Sequence, residues 1–253
     1  MPRNIWRVVL LPLFTIGGLC PSSALAVDPT WAKKATAFVG ECREKRDYAK
    51  CQPIVIPAPD GKASVYVSYQ KYVVDDEDTW LRPTLRIERP GRPPIEARMP
   101  YGFQDVDLLW SPDSKAFFIN GGDGGGYWGF WMRVFRLEDK DFVDVTQQAQ
   151  RDMVKSFPPC RAIMLDWKTC RGIERNRGYN MSGIDWLSDS SILVMAEVPC
   201  SSIYGGIMCQ VIGYGIEVPS GKILRRIDSE HLKSDWQPSM AFDFHIPDPP
   251  KYK

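Results

Sequence analysis

The run Trp110-Ser111-Pro112-Asp113-Ser114-Lys115, with Ala116-Phe117-Phe118-Ile119 directly behind it, constrains the fold more than any other part of this chain. An apolar stretch ends in tryptophan, the chain reverses, and a second apolar stretch begins at once. Proline at the second turn position holds φ near about −65°, and Asp and Ser side chains bond back to the turn backbone. Weaker copies stand at Ala58-Pro59-Asp60-Gly61-Lys62 and at Trp186-Leu187-Ser188-Asp189-Ser190-Ser191. A recurring strand–turn–strand unit predicts a repeat architecture.

Reading outward from these turns gives three units of four strands. The clearest spans 105–146, with strands at Asp105–Trp110, Lys115–Asn120, Trp128–Glu138 and Phe142–Thr146. A second spans 53–99 and a third 182–228, and the insertion 147–180 between units holds a predicted helix, Gln147–Ser156, and the Cys160–Cys170 loop. Strand faces add order to the set. In 128–138, Trp128, Phe130, Met132 and Val134 alternate with Trp131, Phe135 and Leu137, so the strand is covered on both sides. In 63–69, Val65, Val67 and Tyr69 alternate with Ser64, Tyr66 and Ser68, as in a strand with one open face. Residues 29–49 show helical spacing of Trp31, Ala35, Phe38, Val39 and Cys42, which makes 27–52 an N-terminal helical segment ahead of a β domain at 53–253.

The turn sequences resemble the TolB-like, WD40-like β-propeller repeat, whose signature runs approximately W-S-P-D-G-K before an apolar strand. Residues 110–119 match it with Ser114 in the glycine position; 58–67 keep Pro-Asp-Gly-Lys, and 186–194 keep the Trp and the Asp. The resemblance implies a mainly all-β fold, a propeller-like array of four-stranded antiparallel blades. It carries over no functional residue, because the Trp and Asp of the signature are structural. Closed propellers have about four to eight blades. Either degenerate units lie in 27–52, 157–180 or 229–253, or the sheets form an open arc, or two chains complete one another.

Residues 1–26 read as a secretory signal peptide: Arg3 and Arg7, an apolar stretch Val8–Leu19, and the small-x-small site Ala24-Leu25-Ala26. With 32 basic and 31 acidic side chains in the whole chain, loss of those two arginines leaves a net charge of −1. That balance gives no electrostatic reason to expect nucleic acid. No stretch beyond the leader is long and apolar enough to form an integral membrane segment. Cys42, Cys51, Cys160, Cys170, Cys200 and Cys209 fall into three sequence-local couples, and pairing within each couple gives short, easily closed disulfide loops. The chain has only two histidines and no couple with CxxC spacing, which disfavours a metal site. Disulfides and a leader together predict a periplasmic or secreted protein.

Catalytic signatures are scarce. GxSxG, P-loop and HExxH patterns are missing from the sequence. His231 lies in a polar stretch, and His245 lies in Phe242-Asp243-Phe244-His245-Ile246. Gly121-Gly122-Asp123-Gly124-Gly125-Gly126 precedes an aromatic strand rather than a helix, so it reads as a hairpin loop and not a phosphate cradle. Asp75-Asp76-Glu77-Asp78 reads as a solvated tip, and Asn180-Met181-Ser182 is a glycosylation sequon. Asp123, Tyr127, Trp128 and Trp131, beside the glycine loop, are the candidate recognition residues, because aromatic side chains dominate interface hot spots. The reading is an exported, non-enzymatic scaffold that binds another protein or an envelope component, inhibitor or immunity proteins included, with no cofactor. The alternative is a periplasmic hydrolase assembled from distant residues such as Asp105, Asp107 and His245.

Overall fold

The computed structural model describes residues 54–73, 79–98, 105–122, 130–138, 141–156, 180–198 and 209–236. The protein is mainly β: among the described residues, twelve strands form three four-stranded antiparallel sheets, each a simple meander. The first sheet holds β1 (Ile54–Pro57), β2 (Ser64–Val73), β3 (Thr79–Glu88) and β4 (Ile95–Arg98). The second holds β5 (Asp105–Trp110), β6 (Ala116–Gly122), β7 (Phe130–Glu138) and β8 (Asp141–Asp144). The third holds β9 (Asn180–Ser188), β10 (Ser191–Glu197), β11 (Val211–Glu217) and β12 (Ile223–Ile227). Helix α1 (Thr146–Ser156) follows the second sheet and α2 (Ser229–Trp236) follows the third.

The two clearest turns have the same hydrogen-bond pattern. Ser114 N–H donates to the Ser111 carbonyl and Gly61 N–H to the Ala58 carbonyl, each at 2.9 Å. In both, an aspartate Oδ1 two residues back accepts the lysine amide, Asp113 from Lys115 and Asp60 from Lys62. Ser114 takes φ 62°, a left-handed conformation that costs a non-glycine residue about 1–2 kcal/mol. Its hydroxyl offsets part of that cost by accepting the Asp60 amide of the neighbouring turn at 2.9 Å. β8 ends at Asp144, earlier than the sequence suggests, because the Asp144 carboxylate takes the Thr146 amide and hydroxyl and so starts α1.

The second sheet is apolar on both faces, and each face has its own neighbour. Trp110, Phe117, Ile119 and Phe135 pack with Val65, Val67, Leu85 and Ile87 of the first sheet. Leu109, Phe118, Met132 and Val134 pack with Trp186, Ile192, Val194 and Tyr214 of the third. Phe117 is central to the first of these layers, with ring centroids 4.8 Å from Trp110 and 5.0 Å from Phe135. Aromatic pairs at such spacings contribute about 0.5–1.5 kcal/mol each beyond area burial.

A repeated polar bond ties the sheets at their first strands. Trp110 Nε1–H donates to the Ile56 carbonyl of β1 at 3.2 Å, and Trp186 Nε1–H donates to the Leu109 carbonyl of β5 at 3.1 Å. The second and third sheets are also joined by Asn120, whose amide donates to the Gly183 carbonyl (2.7 Å) and accepts the Gly183 N–H (2.8 Å). Only glycine fits there: a Cβ at 183 would lie 2.6 Å from the Phe118 ring. Helix α1 covers the same seam. Gln150 donates to the Met132 carbonyl and Arg151 to the Ser220 carbonyl, and Ala149 and Met153 are buried beneath.

The outer sheets differ in what lies on their far faces. Register places Val55, Tyr66, Arg86 and Glu96 in one row across the first sheet, pointing away from the second. The adjacent row, Ile56, Val65, Ile87 and Ile95, faces the hydrophobic layer. The far face of the third sheet is covered instead, and Leu193, Met195 and Val211 pack there with Leu232 of α2.

Candidate ligand recess

At the turn end of the first sheet, the β1–β2 turn and the β3–β4 turn enclose a recess of about 370 Å³. Its lining comes from two chain segments, Gly61–Tyr66 and Glu88–Pro94, and pairing of Ser64 with Glu88 brings them side by side. Lys62, Arg89 and Arg92 contribute cations, Glu88 a carboxylate, and Ser64 and Tyr66 hydroxyls.

These groups are held in different ways. The Arg89 side chain is only 14% exposed; its guanidinium bonds Asp141 Oδ1 at 2.6 Å and lies 5.6 Å from the Phe142 ring centre. It is therefore fixed by the second sheet. Lys62 is 83% exposed and 3.6 Å from Asp60, a loose surface pair. Arg92 is exposed, and among the described residues no carboxylate pairs with it. The Glu88 charge is answered by Arg86 at 2.6 Å and by the Tyr66 hydroxyl, which donates to it. That hydrogen bond and the carboxylate charge hold the Tyr66 phenol above its usual range. Arg86 also lies over the Tyr66 ring, 5.0 Å from its centre. With Glu88 compensated, the recess has a positive excess and fixed hydrogen-bond partners, suited to binding an anionic group.

Buried polar groups form a second feature, on the α2-covered face of the third sheet. Asp185 on β9 pairs with Leu193, and Asn180 pairs with Glu197. Asp185 is 8% exposed, and burial pushes its carboxyl up to about 6 despite the hydrogen bond from the Trp186 amide. Burial likewise raises Glu197, opposed by a bond from Asn180. The Ser182 hydroxyl between them is buried with no hydrogen-bond partner among the described residues. Asp185 and Glu197 sit four residues apart in register, about 13 Å along the strands, too far to work as one acid–base pair. The sequon Asn180 is itself buried and bonded to Glu197 at 3.3 Å, so it is not presented for glycosylation in the folded chain.

The residues singled out from sequence fare unequally. Asp123, Tyr127 and Trp128 lie outside the described residues, as do Asp75–Asp78 and His245; the backbones of Asp105 and Asp107 pair with Gly122 and Asn120. Trp131 is half-buried and packs into the layer between the first and second sheets. Asp228 caps α2: its Oδ1 accepts the His231 amide (2.9 Å) and lies 2.8 Å from His231 Nδ1. This pairing raises the His231 pKa and lowers that of Asp228. Of the seven cysteines, Cys209 alone falls among the described residues; it is disulfide-bonded, with its other half outside them. Among the described residues, no three His, Cys, Asp or Glu side chains are grouped to hold a metal, and no helix is long and apolar enough to cross a membrane. Sequence reasoning missed Arg89 and Arg92; the signal was Arg89-Pro90-Gly91-Arg92-Pro93-Pro94, a turn bearing two cations. No protein-family model matches this chain, and no curated protein matches it.

Proposed function

We propose that this chain is an exported, non-enzymatic scaffold that binds another protein or an envelope component through its first sheet. The single observation that carries the reading is the asymmetry of that sheet. One row is sealed against the second sheet, and the next presents Val55, Tyr66, Arg86 and Glu96 outward beside the recess. A polar-aromatic surface held on a packed support is the arrangement binding proteins use. In this reading the three sheets are successive blades of a propeller-like array of the TolB or WD40 kind. The local couples 42–51, 160–170 and 200–209 form disulfides, and residues 1–26 direct export to the periplasm or beyond.

The test is cross-linked capture from envelope extract. Wild-type protein should give a stoichiometric complex with one component, and Tyr66→Ala with Arg86→Ala should lose it. An equal yield from that double variant would remove the first sheet from the reading. Cell fractionation tests export directly: a mature chain found only in the cytoplasm contradicts it.

A further inference from the structure

We propose that the recess binds an anionic sugar, a saccharide bearing a phosphate or carboxylate, either free or as the headgroup of an envelope lipid. The inference rests on the binding-scaffold reading and names the ligand class of its recess. Three observations lead to it. Arg89 is locked by Asp141 and the Phe142 ring, so its remaining N–H groups are fixed in direction, and Arg92 and Lys62 stand nearby as uncommitted or loosely paired cations. Guanidinium forks suit the paired oxygens of phosphate and carboxylate. Next, about 370 Å³ is far more than one phosphate fills and lies within the range of small-molecule sites. Last, the lining includes the Glu88 carboxylate and the Ser64 hydroxyl. A bare anion gains nothing from Glu88 and is repelled by it, whereas a ligand that also carries hydroxyls can donate to it. A lining that combines cations with a compensated carboxylate and a hydroxyl matches a molecule with an anionic group and a polyol body.

Titration calorimetry on the full chain tests this with glucose 6-phosphate, glucuronate, glucose and inorganic phosphate. The first two should bind saturably, each at least about tenfold tighter than glucose or inorganic phosphate. Arg92→Gln should weaken that binding by about tenfold, the loss of one charge-assisted contact. Lys62→Gln should weaken it less and flatten its salt dependence. Both side chains are exposed, and circular dichroism would verify that the variants fold. Flotation with phosphatidylinositol vesicles, against phosphatidylcholine and phosphatidylglycerol, separates the sources: selective flotation assigns a lipid headgroup, and solution binding without flotation assigns a free sugar. No saturable binding by either anionic sugar, binding unchanged in Arg92→Gln, or inorganic phosphate binding as tightly as the sugars would each overturn the proposal. Envelope capture that depends on Tyr66 and Arg86 while the sugars are ignored would leave the scaffold reading standing and remove this one alone.

Discussion

Replacing Asp185 by asparagine should change stability in a way that depends on pH in one direction only. The carboxyl is 8% exposed, and burial lifts it from 3.8 to about 6. Between about pH 4 and pH 6 the folded chain keeps a proton that the unfolded chain has lost, so stability falls as pH rises through that window. Below it both states are protonated, and above it both are ionised, so the effect levels off. A shift of roughly two units corresponds to about 3 kcal/mol, the upper bound on what ionised Asp185 costs the fold at pH 7. Asparagine keeps the acceptor that holds the Trp186 amide at 2.7 Å and removes the charge. Asp185→Asn should therefore match wild type near pH 4 and exceed it by up to about 3 kcal/mol at pH 7, or very roughly 6–12 °C in Tm. Urea titrations between pH 4 and 8, followed by tryptophan fluorescence, would measure both proteins. Other shifted groups remain in both chains and cancel in the difference. They are Glu197, raised by burial; Asp144, which burial raises but bonds from Thr146 and Arg133 hold below its usual range; the Asp228–His231 pair; and Tyr66, raised by Glu88. A difference that does not vary with pH, or a variant less stable at pH 7, would refute the reasoning.

Four further substitutions probe the seams. Gly221 has φ 73°, and a Cβ there would lie 1.9 Å from the Gln148 carbonyl oxygen of α1. Gly221→Ala should cost more than about 2 kcal/mol in urea unfolding, through strain and displacement of the helix. Asn120→Ala strands both the N–H and the C=O of Gly183 and should cost about 2–4 kcal/mol; a loss under ~0.5 kcal/mol would mean water or relaxation replaces both bonds. Trp186→Phe keeps most of the apolar burial but removes the donor to Leu109, and should cost about 1–2 kcal/mol. Trp110→Phe, which loses the bond to Ile56, should cost a similar amount.

Much of the strand layout is legible because turn chemistry and period-two patterning agree along the chain. Trp110–Lys115 announces one reversal, and Met132 with Val134 against Phe135 with Leu137 announces a strand packed on both faces, as found. At Asp185 the geometry departs from strict alternation. Counting from Met181 in steps of two puts Asp185 toward the second sheet. The register shift between Leu193 and Val194 moves it to the other face, opposite Leu193, where it is buried. The recess is invisible for another reason: Lys62 and Arg92 are 30 positions apart, and neither lies in a patterned segment. Only the β2–β3 register brings their turns together. The pull of aromatic residues toward function also misleads for Trp131, whose half-buried ring is inter-sheet packing.

The two tryptophan bonds between first strands have a consequence for how sequences of this design can diverge. Each indole donates to a main-chain carbonyl, of Ile56 in one case and Leu109 in the other. A carbonyl is present whatever side chain the residue carries, so the accepting strand is free to change its sequence without losing the bond. The donating strand is not, since it must keep its tryptophan. In the first sheet, Pro57 stands where Trp110 stands in the second, so no indole donor occupies that position on the side that looks outward. Uneven copies of a repeat are what such one-sided joints allow: each sheet need retain only the half of the joint that it supplies.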